Sequence, residues 1–330
     1  MDRRRRRRSR GSLLKAVRVS DGSLEIVERA DPSPAADQVL VEVAGAGVNR
    51  ADLLQRAGRY PAPPGSPADV PGLEFAGTIA AIGPDVRTLE PGARVWGILG
   101  GGGHASRVLT REGLCAPVPA RLELAEAGGI PEVFVTAHDA MLVQAGLCPG
   151  ERVLIHAVGS GVGTAAVQLA RAIGARTVGT SRTASKLDRA RELGLDEGVL
   201  AGDDMAARIG DVDVVIDLVG GSYLECDLAV CASKGRVMVV GLLAGSSATL
   251  DLGRLMRGRA SVTGTVLRPR PDHEKAAALA RFAREVVPLF ERGLLRPVTE
   301  RMLPLEEAAA AYDLVGSNVT FGKVVLTPGG

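Results

Sequence analysis

His156-Ala157-Val158-Gly159-Ser160-Gly161-Val162-Gly163-Thr164 decides the fold. The residues leading into it, 153–157, are an apolar β-run, and 162–173 carry a helical pattern. Small residues at Ala157, Ser160, Gly161 and Gly163 meet three demands. They allow a tight turn, close approach of backbone to a pyrophosphate, and packing of the helix on the strand. Val162 opens the helix, whose first N–H groups and positive dipole end then face the phosphates. A glycine loop with a strand before it and a helix after it predicts a dinucleotide site.

Outward from this loop the chain alternates. Gly174 stops the helix, on which Thr164, Gln168 and Arg171 form one narrow polar face. A helix buried on its other sides is what a doubly wound sheet requires. Strands are predicted at 177–180, 212–218, 236–241 and 260–267, with a helix at 185–193. This βαβ repetition implies a parallel sheet. Upstream, 15–130 is β-rich, with strands at 16–19, 39–43, 78–82 and 93–98. Asp31-Pro32-Ser33-Pro34 and the Pro/Gly-rich stretch 60–72 break it up. Downstream, 272–294 is a long helical stretch and Pro304-Leu305-Glu306-Glu307 starts another helix. A closing strand at 322–326 needs a sheet to join, which returns the chain to the first domain.

The 330 residues suit two domains. Aromatics are only 3%, so the core falls to Ala, Val, Leu and Ile. Net charge is +2, yet residues 2–10 hold seven Arg and one Asp, which leaves about −4 on the rest. Nothing apolar or aromatic interleaves with those arginines. They read as a disordered extension, 1–12, or as an upstream stretch outside the folded protein, and not as a nucleic-acid or membrane grip. No apolar run reaches transmembrane length, and the arm leads into no signal-peptide core. The cysteines, Cys115, Cys148, Cys226 and Cys231, have no CxxC spacing and read as reduced thiols of a cytoplasmic protein.

The second strand of the predicted sheet ends Gly179-Thr180-Ser181-Arg182-Thr183, with Lys186 one turn on. An NAD site places an acid there to hold the ribose 2′-OH. Here hydroxyls and two cations suit a 2′-phosphate, so Thr183 and Lys186 predict NADPH.

These features resemble the medium-chain dehydrogenase/reductase superfamily, in its zinc-free quinone oxidoreductase branch, closest to the p53-inducible quinone oxidoreductase-like group. The resemblance runs from about Lys15 to Leu326. It is carried by Val48-Asn49-Arg50-Ala51-Asp52-Leu53-Leu54-Gln55-Arg56, by Tyr60 with Pro63-Pro64-Gly65, and by Gly72-Leu73-Glu74. Ile130-Pro131-Glu132, Thr136-Ala137, the glycine loop and Gly220-Gly221-Ser222-Tyr223 complete it. It implies a GroES-like β-rich catalytic domain (13–133, returning at 270–330) and a Rossmann domain (134–269), with the active site between them. It also implies a homodimer through the Rossmann sheet edge, here 260–267. Asn49, Thr136, Gly241, Leu242 and Leu267 are placed near the nicotinamide end, and Lys323 near the cleft. Where zinc relatives have Cys and His ligands this chain has Asn49 and Leu73, which cannot replace a thiolate and an imidazole. No metal is expected, and His104, His138, His156 and His273 read as surface or packing residues. One departure is Ala201-Gly202, where many relatives have an Asn-Tyr pair beside the adenosine phosphate.

The expected reaction is hydride transfer from NADPH to a quinone or similar electrophilic carbonyl. Tyr60 and Asn49 are the candidates for hydrogen bonding to the developing oxyanion. Asp52, Glu74 and Glu132 read as structural. Reduction of an activated C=C bond, in enals or enoyl thioesters, is the alternative chemistry. Arg268 and Arg270 have the charge to hold an acyl phosphate or carboxylate there, but read as solvated edge charges. An NADPH-binding regulatory or RNA-binding protein with little turnover is the alternative of another class.

Overall fold

The computed structural model describes residues 13–329, so the expected extension 1–12 lies outside the described residues. Six strands form one wholly parallel sheet. Their spatial order is Glu197–Leu200, Arg176–Ser181, Arg152–Ile155, Val212–Asp217, Cys231–Val239 and Ser261–Gly264. In chain order this is 3-2-1-4-5-6, the doubly wound dinucleotide arrangement, whose crevice opens between the first and fourth strands. Val153, Leu154 and Ile155 are each fully buried, as a central parallel strand covered on both faces must be. The helix Gly161–Ala172 lies over it through Ala165, Ala166, Leu169 and Ala170. A Cβ on Gly163 would sit 2.5 Å from the Ala157 carbonyl oxygen, so only glycine permits this approach.

The second sheet has seven strands. Thr299–Pro304, Lys323–Thr327, Gln38–Val48, Glu74–Ile82, Arg94–Ile98 and Cys115–Pro117 follow one another, and Arg107–Arg111 pairs with Gln38–Val48. The hairpin Leu13–Ser20 with Ser23–Ala30 touches this domain through an Ala16–Ala105 bridge. The C-terminal strand pairs antiparallel with Gln38–Val48, Val324 opposite Val48, which is the return expected from the sequence.

Three differences from the sequence reading have local causes. The long helix expected over 272–294 is two helices, Asp272–Glu285 and Val287–Glu291. Pro288 lacks the N–H that would continue the first, so the chain bends at Val286. The edge strand expected over 260–267 is only Ser261–Gly264, because the chain then turns inward and buries Leu267 and Arg268. The polar residues of the loop helix do not face solvent throughout. Thr164 and Gln168 are buried, and Gln168 exchanges hydrogen bonds with the Arg296 backbone at 3.0 and 3.2 Å.

The few aromatics are concentrated, not absent, in the core. Trp96 packs on Phe282 and Phe290 with ring centroids 6.1 and 5.8 Å apart, and Phe134 meets Phe290 at 4.9 Å. This seam joins the strand Arg94–Ile98, the helix Pro131–His138 and the broken helical pair. Phe290→Ala should therefore cost about 3–5 kcal/mol, read as a lower urea midpoint at unchanged slope.

Candidate active site

Strand Gln38–Val48 runs into Asn49, which caps the helix Arg50–Arg56. Asp52 fixes this corner. One carboxylate oxygen accepts the Asn49 N–H at 2.8 Å and the other accepts the Gly72 N–H at 2.9 Å. At the head of the next strand, fully buried Glu74 gathers three parts of the chain. Its Oε1 accepts from Asn49 Nδ2 and pairs with Lys323 Nζ, both at 2.8 Å. Its Oε2 accepts the Glu132 N–H at 2.8 Å, at the start of the helix Pro131–His138. Lys323 also donates to Asn49 Oδ1 at 2.7 Å and to the Val48 carbonyl at 2.9 Å. Gly47 has no Cβ because one would lie 2.2 Å from Glu74 Oε1. The Asn49 amide, offered as an oxyanion donor, is thus committed to internal partners, including the Gly47 carbonyl.

The same C-terminal strand reaches the nucleotide loop. Gly322 donates to the Gly159 carbonyl at 2.9 Å, and a Cβ on Gly161 would meet the Lys323 side chain at 2.8 Å. Ala157 takes a left-handed φ of +51°, and Ser160 caps the loop helix by accepting the Gly163 N–H at 3.0 Å. Beneath the loop, buried His156 bonds Thr180 Oγ1 and Asp227, each at 2.7 Å. Burial lifts the Asp227 carboxyl to about 6 despite that histidine. The loop opens the helix Gly161–Ala172 with glycines at 159, 161 and 163, which gives a helix N-terminus and the close backbone approach that a dinucleotide needs, so its residues fit one.

At the end of Arg176–Ser181 lies a cavity of about 450 Å³ lined by Arg182, Thr183, Ser185, Lys186, Arg189, Ser317, Asn318 and Val319. No acid lines it. Lys186 Nζ donates to the Asn318 carbonyl at 2.6 Å, and Arg189 is paired with Glu300. Burial and the Arg182 charge hold Lys186 below the usual ammonium range.

Tyr60 is half-buried on its loop. Arg268 stacks over its ring at 5.0 Å and donates to the Tyr60 carbonyl, the Gly100 carbonyl and Gln55. Arg268 is 3% exposed. Arg270 bonds Asp139 and Thr265. The reading of these two arginines as solvated edge charges is therefore wrong. Apart from Thr265 and Val266, their partners come from 55, 60, 100 and 139, and no local sequence signal marks such contacts. Burial keeps the Tyr60 phenol raised above its ordinary range, so it stays a donor. Thr136 is partly exposed one turn along from Glu132, Leu267 is buried, Leu242 is exposed, and Gly241 donates to the Asp217 carbonyl.

Two family descriptions match in succession: "Alcohol dehydrogenase GroES-like domain" over residues 35–146 and "Zinc-binding dehydrogenase" over 161–284. A quinone oxidoreductase from Lama guanicoe is 32% identical over 334 residues, spanning 95% of this chain and 97% of that protein. The chain belongs to the medium-chain dehydrogenase/reductase superfamily, among its quinone oxidoreductase-like members. The spectinabilin polyketide synthase system protein NorB from Streptomyces orinoci is 36% identical over 301 residues. That match covers 88% of this chain but only 13% of NorB. A crystal structure of an NAD-dependent alcohol dehydrogenase superposes with a TM-score of 0.85 at 30% identity, covering 96% and 100% of the two chains. The members of this family are oxidoreductases that depend on a pyridine nucleotide. Among the described residues no helix is long and apolar enough to cross a membrane.

Lys323→Met should leave Glu74 buried without its cation and cost about 3–5 kcal/mol in chemical unfolding. Combining it with Glu74→Gln should recover part of that loss. A single variant as stable as the parent would show that the pair does not hold the site.

Proposed function

We propose that this protein is an NADPH-dependent reductase of quinones or similar electrophilic carbonyls, working by hydride transfer without zinc. The end-to-end similarity to quinone oxidoreductases carries the acceptor class. The acid-free, cation-lined cavity beside the glycine loop carries the cofactor choice, since Arg182 and Lys186 suit a 2′-phosphate. Ala157, Ser160, Gly161, Val162 and Gly163 would hold the pyrophosphate, with Thr183 and Lys186 at the adenosine end. Asn49, Thr136, Gly241, Leu242, Leu267 and Lys323 would bound the nicotinamide end. When bound, NADPH supplies the hydride.

The chain's own part is placement and charge. The Glu74–Lys323–Asn49 cluster holds the cleft floor in position. Arg268 positions Tyr60, whose phenol can donate to the oxygen that gains charge. Zinc independence rests on donor chemistry: the Asn49 amide is internally bonded, and Leu73 offers only an alkyl group. Burial lifts the Cys115 thiol to about 12 and those of Cys226 and Cys231 to about 11, so these three sulfurs stay protonated at neutral pH. Sheet membership supports two units that divide between Pro117 and Arg152 and again between Gly264 and Thr299, although the expected first boundary, 133/134, falls inside the helix Pro131–His138. A homodimer through the edge Ser261–Gly264 is supported by exposed Leu252, Met256 and Val266 nearby. A cytoplasmic location fits the unpaired cysteines.

The likeness to polyketide synthase proteins and to a solved enoyl reductase supports a second acceptor class, the activated double bond of an enoyl thioester, in the same cleft. A panel of quinones and enals with NADPH separates the two. Turnover of enals alone would move the assignment to the second class. For the cofactor, NADPH should bind at least about 10-fold more tightly than NADH in a fluorescence titration. Arg182→Ala with Lys186→Ala should remove most of that difference while leaving NADH affinity within about twofold. Equal affinity of the unaltered protein for both would refute the 2′-phosphate site.

A further inference from the structure

Reducing a carbonyl or an activated double bond takes a hydride and a proton, and nothing above supplies the proton. Glu132 lies on the first turn of the helix Pro131–His138, four residues before Thr136 and on the same face. Its backbone is pinned by the 2.8 Å bond to Glu74, whereas its carboxyl has no hydrogen-bond or ion-pair partner among the described residues. The titratable groups that act on it are Glu74 and Lys323 from two strands, Asp52 from the helix Arg50–Arg56, Arg268, and the Tyr60 phenol. Lys323 is already paired with Glu74 at 2.8 Å, so its charge is largely answered before it reaches Glu132. Burial and the adjacent Glu74 carboxylate lift the Glu132 carboxyl to about 8. The residue therefore holds a proton at neutral pH beside the phenol and the nicotinamide-end threonine.

We propose that Glu132 is the general acid of this reductase, giving its carboxyl proton to the acceptor as the hydride is delivered. The proposal rests on the reductase reading above. The acceptor gains two electrons and one hydrogen as hydride from the reduced cofactor, which is oxidised. The Glu132 O–H bond breaks, and its proton forms a new O–H bond on a carbonyl acceptor, or a C–H bond at the α-carbon of an enoyl acceptor. The carboxylate left behind takes a proton back from water and undergoes no change of oxidation state. Glu74 is unsuited to this role because both of its oxygens already accept hydrogen bonds in full burial.

Two measurements test this. The first is kcat between pH 5.5 and 10 for the parent and for Glu132→Gln and Glu132→Asp, with NADPH affinity measured on each. The proton must be on Glu132 for turnover, so parental kcat should fall as pH rises through about 8. Glu132→Gln should lower kcat by about 10²–10⁴-fold and abolish that limb while NADPH affinity stays within about twofold, and Glu132→Asp should restore part of the rate. The second needs no turnover. The infrared spectrum of the cofactor-free protein at pH 7 should show a protonated-carboxyl band that titrates near pH 8 and is missing from Glu132→Gln. An active parent whose Glu132→Gln variant keeps both rate and alkaline limb overturns the proposal and spares the reductase reading. So does a band absent at pH 7. A parent that reduces no acceptor in the panel overturns the reductase reading, and the general-acid role with it.

Discussion

Glu74 accepts from Asn49, Lys323 and the Glu132 backbone, and so ties the first crossover, the last strand and the helix that enters the nucleotide domain into one knot. A carboxylate and an ammonium taken out of water at this depth are stable only if their remaining hydrogen-bonding capacity is met. It is met here by the Val48 carbonyl and both ends of the Asn49 amide. The strand that carries Lys323 continues this constraint to the other domain. Gly322 bonds Gly159, and the Lys323 stem fills the space that a side chain at Gly161 would need. The position of the phosphate loop relative to the catalytic sheet therefore depends on one buried ion pair.

That dependence explains which parts of the molecule could be read from the chain. The glycine loop was legible because its needs are local: a turn that tolerates positive φ at Ala157, and a helix so close to the loop that a Cβ at Gly163 would lie 2.5 Å from the Ala157 carbonyl oxygen. The parallel sheet follows from the same local alternation of strand and helix, whereas its strand order and the edge strand Glu197–Leu200 carry no such local mark. The break at Pro288 was also local, yet the apolar spacing on either side of it reads as one helix, and the proline was passed over. Arg268 was misread for the opposite reason. Its partners lie 168 to 213 residues away, and an arginine next to a proline in an edge-strand context carries no mark of such burial.

Asn49 and Glu132 show the same limit within the site. The sequence marks Asn49 as a cleft residue, but whether its amide faces an acceptor or the protein depends on Glu74 and Lys323, which are 25 and 274 residues away. Glu132 looks structural beside a proline at a helix start. Loss of water around it, and then the approach of Glu74, make its charge costly enough to keep it protonated.

The chemistry follows from how these two acids divide the cleft. Like charges in a common low-dielectric site cannot both ionise freely, so the one with the better partners takes the charge and its neighbour keeps the proton. Glu74 has an ammonium at 2.8 Å and two N–H donors, whereas Glu132 has none among the described residues. The ion-paired Glu74 carboxylate thereby adds to burial in holding the proton on the carboxyl beside it. On the proposed reading, an electrophilic acceptor in this cleft would need no metal to polarise it, because a phenol and a neutral carboxyl would stand where charge develops. Removing Lys323 would take from Glu74 its cation and from Asn49 a donor, and so loosen the floor on which Glu132 stands.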